Sequence, residues 1–164
     1  PRHYIVRSSW VVGDGRNFVG TMKSLSDRVA DPADALDKVT VVDDQLGRLT
    51  FTRDMAEGIL WLLGYREGDV EPSSPCPHGT YDITGSGPVE SWAQIAARVF
   101  DLANGNGERV VPVSTAEYYA SAGGPVAPRP EHSALDLSKI RAAGYAPRDW
   151  TESLSEYLEH LCSR

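Results

Sequence analysis

The sequence predicts an α/β domain, and three observations predict it. Three β-branched runs (HYIVR, KVTVV, RVVPV) have the composition of strands. Segments between them place apolar residues at helical spacing. The 164 residues are 41% hydrophobic and 24% charged, which is one globular domain's worth of chain with material for a core. Strands alternating with helices define the α/β class.

In chain order, a strand covers 3–7 and its apolar character continues to Val12. Phe18, Met22 and Leu25 then mark a helix over 17–29. A second strand, 38–42, runs into a loop at Asp43, Asp44 and Gly47. Thr52 is positioned to cap the helix RDMAEGILWLLG, which Gly64 stops. A proline-rich polar loop follows, then a short strand, 80–84. Ser91 and Gln94 match a capping box ahead of SWAQIAARVFDLA, and NGNG ends that helix. The strand 109–113 contains Pro112, which cannot donate to a ladder and so belongs at an edge. The Gly/Pro-rich stretch 121–133 reads as a structured loop. A short helix through Ala143 and a last helix capped by Thr151, with Leu154, Tyr157, Leu158 and Leu161 on one face, complete the chain. The total is about four strands and five helices.

Several function classes are excluded. A net charge of −7 argues against nucleic acid, whose binders carry a basic face. No apolar run approaches the ~20 residues of a membrane span, and no signal peptide is visible. Two cysteines are too few for a disulfide framework, so a reduced, cytoplasmic setting is expected. Cys76 and His78 form one Cys-x-His pair without a second, which is an ordinary loop rather than a zinc site. The chain opens at Pro1 almost directly on a strand, as an excised piece of a longer protein would.

The stretch VVGDGRNFVG has the outline of a dinucleotide loop, a strand followed by two glycines and a helix. The fingerprint requires a third glycine where Phe18 stands, and an acid at a strand end about 20 residues on. Asp31 and Asp34 sit instead in a polar segment. On the residues alone, a turn that uses Gly13 and Gly15 is the better reading, and the rest of the chain decides between the two. Polar residues gather in three loops, 14–18, 43–50 and 128–133. Ligands of open α/β sheets bind beyond the carboxyl ends of strands, where such loops lie. Asn17, at a helix start, can offer its amide to an anion. Arg129, between two prolines, suits either a bidentate grip on phosphate or a loop-anchoring salt bridge. No nucleophile–base set is visible: His3, His78, His132 and His160 are scattered, and no tyrosine is followed by lysine four residues on.

Four segments together resemble a known family: YIVRSSWVVGDGRNFVGTM, VVDDQLGRLTFTRDMAEGILWLL, GTYDITGSGPVESWAQIAARVF and APRPEHSALDLSKI. In this order they are similar to the carboxyl-terminal half of the dTDP-4-dehydrorhamnose reductases, which are extended short-chain dehydrogenases. The resemblance covers nearly the whole chain. It implies the end of a Rossmann-like parallel sheet plus a small α/β substrate-binding domain, all of 1–164 being one such unit. It also implies NADPH-dependent reduction of dTDP-4-dehydro-L-rhamnose. The cofactor and the catalytic Tyr-x-x-x-Lys pair would lie in an amino-terminal Rossmann domain, a partner outside this chain, so that no cofactor is expected here.

By the same resemblance, Trp10 lies against the sugar ring of a dTDP-sugar, and Asn17 and Phe18 face the nucleotide-sugar. Asp44, Gln45, Gly47 and Thr50 form the loop that follows the nucleotide, and Arg129 and Ser133 clasp the diphosphate. An indole suits a deoxysugar face, and an amide and a guanidinium suit oxygens. Leu49 departs from the family's usual proline. Where some members hold a divalent metal at a dimer interface, this chain has Phe51, Thr52, Arg53 and a single acid, Asp54, so a metal-bridged dimer is not expected. Fold alone does not fix chemistry. The alternatives are a fusion with an epimerase, a non-catalytic nucleotide-sugar-binding or regulatory subunit, and an epimerase or dehydratase acting on another nucleotide-sugar.

Overall fold

The computed structural model describes residues 2–66, 68, 70–120 and 127–162. The first half of the predicted 121–133 loop therefore lies outside the described residues. Strand β1 (Tyr4–Arg7) pairs in parallel with β6 (Gly79–Asp82), and β3 (Val39–Val42) pairs in parallel with β8 (Val110–Val113). Two shorter pairs join them: β2 (Val11–Val12) beside β5 (Thr50–Phe51), parallel, and β4 (Leu46–Gly47) beside β7 (Glu90–Ser91), antiparallel. The α/β class stands, with short, mostly parallel pairs. The strand count does not, because four two-residue strands are too short to leave a periodic signature.

Among the described residues six α-helices pack on these strands: α1 (Phe18–Ala30), α2 (Thr52–Leu62), α3 (Trp92–Asn104), α4 (Thr115–Tyr118), α5 (Ser138–Ala142) and α6 (Trp150–Cys162). The capping box of α3 forms as predicted. The Ser91 hydroxyl accepts from the Gln94 amide at 3.1 Å, and Gln94 accepts the Ser91 amide at 2.8 Å. Two other predicted caps shift by one or two residues. Thr52 is already inside α2, whose N-cap is Phe51 and lacks a side-chain cap bond. Thr151 is likewise inside α6. Its amide and hydroxyl both donate to Asp149, which does the capping.

The core has two parts. Val19 and Met22 of α1, Ile95, Ala96, Val99 and Phe100 of α3, and Trp150, Leu154 and Leu158 of α6 close over Val41 and Val110. Leu62 of α2, Tyr81 and Ile83 around β6, and Ile140 of α5 form the second. Burying each large apolar side chain contributes about 1.5–3 kcal/mol, so the first cluster is the main source of rigidity for the loops above it. Leu49 is fully buried in that cluster.

Candidate functional site

The predicted first strand is broken at Ser8–Trp10, because the chain changes partners there. Its first part pairs with β6 and its second with β5. The bend is made at Trp10, whose φ of 48° is the one positive value on a non-glycine residue among the described residues. This left-handed conformation costs roughly 1–2 kcal/mol and persists only where its surroundings enforce it. Thr50 does so with two bonds. Its amide donates to the Trp10 carbonyl at 3.1 Å and its hydroxyl to the Ser9 carbonyl at 2.7 Å. Thr50 is itself buried. Its place is beneath the site, holding Trp10, rather than at the surface a ligand would meet.

Trp10 presents its indole to a cleft of about 530 Å³. The ring stacks on Trp92 with centroids 3.7 Å apart and planes 19° from parallel. Phe18 tilts against the same Trp92 at 4.4 Å. Gly47 lies against the Trp10 ring. The cleft is also lined by β3, Gln45, Tyr118, Tyr119, Arg129 and Ser133. Five of the nine predicted residues (Trp10, Phe18, Gln45, Arg129 and Ser133) thus line one cleft, although they come from four separate stretches of sequence.

The 127–133 loop is held by an isolated parallel bridge between Leu46 and His132. Leu46 donates to the Glu131 carbonyl and accepts from the Ser133 amide, both at 2.7 Å. The Ser9 hydroxyl donates to the Ser133 carbonyl at 2.8 Å, tying this loop to the Trp10 bend. Arg129 is exposed at the cleft and has no ion pair among the described residues. The loop-anchoring salt bridge that the sequence left open therefore has no acidic partner there. Gln45 donates to the Thr115 hydroxyl at 2.9 Å. Asp44 accepts from the Thr115 hydroxyl at 2.5 Å and amide at 2.8 Å, which holds its carboxyl below the usual carboxylate range. Asp44 thus holds the first residue of α4, whose N-cap is Ser114, and is not among the residues lining the cleft.

Asn17 is also a supporting residue. Its Oδ1 accepts from the Gly20 amide at 3.0 Å as the N-cap of α1. Its Nδ2 donates to the Gly13 carbonyl at 2.7 Å and to the Tyr157 hydroxyl at 2.7 Å. Tyr157 in turn donates to Gly13 at 2.8 Å. Gly15, at φ 87°, makes the turn that this network closes. The loop does not fit a dinucleotide pyrophosphate: Asn17 already occupies the helix start, and Phe18 fills the third position with an aromatic ring.

Asp54 is buried in the first turn of α2 and accepts from the Ser153 hydroxyl at 2.6 Å. Burial pushes its carboxyl up. Nearby, the Arg148 guanidinium is paired with Glu152 and Glu156. No cluster of three or more metal-ligating side chains occurs among the described residues. At the far loop, His78 stacks on Tyr4 and Cys76 is buried.

Sequence reasoning missed Trp92, Tyr118 and Tyr119 as cleft residues. Trp92 fell at a core-facing position of a helix, and its neighbour Ser91 drew attention as a cap. The tyrosines stand at the end of α4, a one-turn helix without periodicity. Their rings meet edge-on at 5.1 Å. A doublet of tyrosines ahead of a Gly/Pro loop was the available signal.

Comparison with known proteins accords with this geometry. The chain is 36% identical over 163 residues to dTDP-4-dehydrorhamnose reductase of Streptomyces griseus, covering 98% of this chain and 48% of that protein. It is 35% identical over 160 residues to the spore coat polysaccharide biosynthesis protein SpsK of Bacillus subtilis, covering 97% and 48%. The crystal structure of dTDP-4-dehydrorhamnose reductase from Bacillus anthracis in complex with NADP superimposes with a TM-score of 0.73 at 28% identity, over 98% of this chain and 49% of that one. The chain thus spans about half the length of the relatives it matches. The RmlD substrate binding domain model matches residues 1–163, and the chain belongs to that family.

Proposed function

We propose that this chain is the nucleotide-sugar-binding half of an NADPH-dependent reductase that converts dTDP-4-dehydro-L-rhamnose to dTDP-L-rhamnose. The single observation that carries the proposal is the cleft itself, lined by an indole stack and by a guanidinium that has no ion pair among the described residues. A deoxysugar has a weakly polar side that suits contact with an indole edge, and a diphosphate leaving water requires a cation. Trp10 then meets the sugar, Arg129 and Ser133 the diphosphate, and Gln45 the far wall. Asn17, Thr50, Gly47 and Asp44 hold these groups in place.

Hydride and proton come from elsewhere. Proton donation requires an acid within hydrogen-bond reach of the keto oxygen, and among the described residues the cleft lining offers Tyr118 and Tyr119 and no lysine. The cofactor and the acid are assigned to an upstream Rossmann half. Two features favour that partner: β1 has one neighbour among the described residues, leaving its second edge open, and Ile5 and Val11 are about half exposed. The test is absorbance-followed NADPH oxidation with dTDP-4-dehydro-L-rhamnose. The full-length protein is expected to turn over and chain 1–164 alone is not. A full-length protein that binds the sugar nucleotide without oxidising NADPH would instead be a non-catalytic nucleotide-sugar-binding subunit.

A further inference from the structure

Among the described residues, Gln45 is the one carboxamide in the cleft lining. A chain of hydrogen bonds fixes which way that amide is turned. Asp44 is kept ionised by its two bonds from Thr115 and can only accept. The Thr115 hydroxyl therefore donates its single proton to Asp44, at 2.5 Å. Toward Gln45, 2.9 Å away, it has lone pairs alone. Only the NH2 end of the amide can face it, because a turned-over amide would set oxygen against oxygen. Gln45 Oε1 is left accepting no hydrogen bond among the described residues, and one N–H of Nε2 is unspent.

The same threonine opens α4, which ends at Tyr118 with Tyr119 as its C-cap. With the side chains of β3, these rings give the cleft an apolar and aromatic surface. Leu46, directly after Gln45, is bonded to Glu131 and Ser133 of the loop that carries Arg129. A flat apolar surface, an oriented amide and a cation are thus joined through Gln45 and its neighbours.

We propose that Gln45 is a specificity-determining residue that reads the nucleotide's base. Its amide accepts from the ring N–H of a thymine- or uracil-type base and donates to the adjoining ring carbonyl. Cytosine carries a lone pair where those bases carry the N–H, so it meets the fixed Oε1 acceptor to acceptor. Thr115 is the positioning residue that stops the amide from turning over to suit cytosine. A sugar hydroxyl both donates and accepts and gains nothing from an amide held one way round. This inference rests on the nucleotide-sugar occupying the cleft with its diphosphate at Arg129.

The matched probes are dUDP and dCDP, which differ only along the edge of the ring that Gln45 would read. Both are titrated by calorimetry, with dTDP and dTDP-L-rhamnose alongside, into the full-length protein and its Gln45→Leu, Gln45→Met, Thr115→Val and Arg129→Met variants. Wild type is expected to bind dCDP roughly 5- to 150-fold more weakly than dUDP, since the mismatch leaves polar groups unpaired. Gln45→Leu should weaken dUDP and bring the two to near-equal affinity. Gln45→Met, of nearly the same length, decides if the Leu variant does not fold. Thr115→Val should narrow the preference by freeing the amide to turn over. Arg129→Met should weaken both probes alike and keep their ratio. Equal binding of dUDP and dCDP by wild type, or a preference that survives loss of the Gln45 amide, overturns the base reading and leaves the cleft assignment standing. So does a Gln45 variant that loses affinity for dTDP-L-rhamnose but not for dTDP, which would give the amide to the sugar. A Thr115→Val protein with the wild-type ratio overturns the positioning role. A wild-type protein that binds none of the four ligands removes the cleft assignment, and this inference with it.

Discussion

Gly47 lies directly against the indole of Trp10: a Cβ at this position would meet three ring atoms of Trp10 at 2.8–2.9 Å. The glycine at the end of β4 is thus explained by a side chain 37 positions earlier, not by its own turn. Trp10 has little room to retreat, since its ring also stacks on Trp92 and its backbone is held by Thr50. Gly47→Ala should therefore behave as overpacking and cost about 1–3 kcal/mol in urea unfolding. It should also weaken binding of a dTDP-sugar more than of dTDP. Adding Trp10→Leu to Gly47→Ala removes the clash, so the two substitutions should be strongly non-additive in a double-mutant cycle. Additive costs would show that the ring can step aside freely.

Asn17 illustrates how a residue can look like a ligand contact and be something else. All its polar atoms are engaged, with Gly20, Gly13 and Tyr157. Asn17→Ala loses the N-cap and the link to α6 and should cost about 1–3 kcal/mol of stability. Tyr157→Phe, which keeps the cap, should cost about 1 kcal/mol. Under conditions where both variants are folded, dTDP binding should change little. Intact stability with lost binding in Asn17→Ala would assign the amide to the ligand instead.

The helices were legible in the sequence because burial of one face imposes a period: α1, α2, α3 and α6 lie within a residue or two of where Met22, Ile59, Val99 and Leu158 put them. The short strands β2, β4, β5 and β7 were not, since a two-residue strand has no period and is defined by partners distant in the chain. Those strands are what assemble the cleft. Resemblance picked out Gly47 and Thr50 without saying whether they touch a ligand or support Trp10. That distinction lies in a Cβ contact and two hydrogen bonds, which no spacing encodes. Trp92 was hidden for the converse reason: a helix N-terminal tryptophan on an apolar face looks like core.

Asp54 gives a pH-dependent prediction. Burial raises its pKa in the folded chain above the ordinary aspartate value. The folded state then holds this proton more tightly than the unfolded state. Stability from Asp54 is fully present below the unfolded pKa and is lost as pH rises through the folded one. Asp27, Asp34, Asp44 and Glu156 are shifted down and act in the opposite sense, losing their contribution as pH falls. The net profile therefore mixes both signs, and the variant isolates one. Asp54→Asn can still accept from Ser153 but carries no charge to desolvate. Relative to wild type it should gain stability near neutral pH, and that gain should vanish on acidification. Melting curves of both proteins from about pH 4 to 8 measure the difference. A difference that stays constant with pH would mean that Asp54 titrates alike in both states.

Arg129 separates electrostatic binding from folding more cleanly than any other residue of the cleft. It is exposed, flanked by Pro128 and Pro130, and free of ion pairs among the described residues. Removing its charge should leave the melting temperature unchanged, because no protein group is orphaned. Its effect on a diphosphate should be large. Hydrogen bonds to charged groups contribute about 1.5–3 kcal/mol, which corresponds to roughly 10- to 150-fold in dTDP affinity for Arg129→Met. Arg129→Lys keeps the charge and loses the planar fork, so its affinity should fall between the two. Added salt should weaken wild type more than the Met variant, since only the former has a charge here to screen. Calorimetry of dTDP with the full-length protein at low and high salt reads all three. If Arg129→Met binds dTDP as tightly as wild type does, the diphosphate is held elsewhere. An Arg129→Met protein that also melts earlier would return the residue to anchoring its loop.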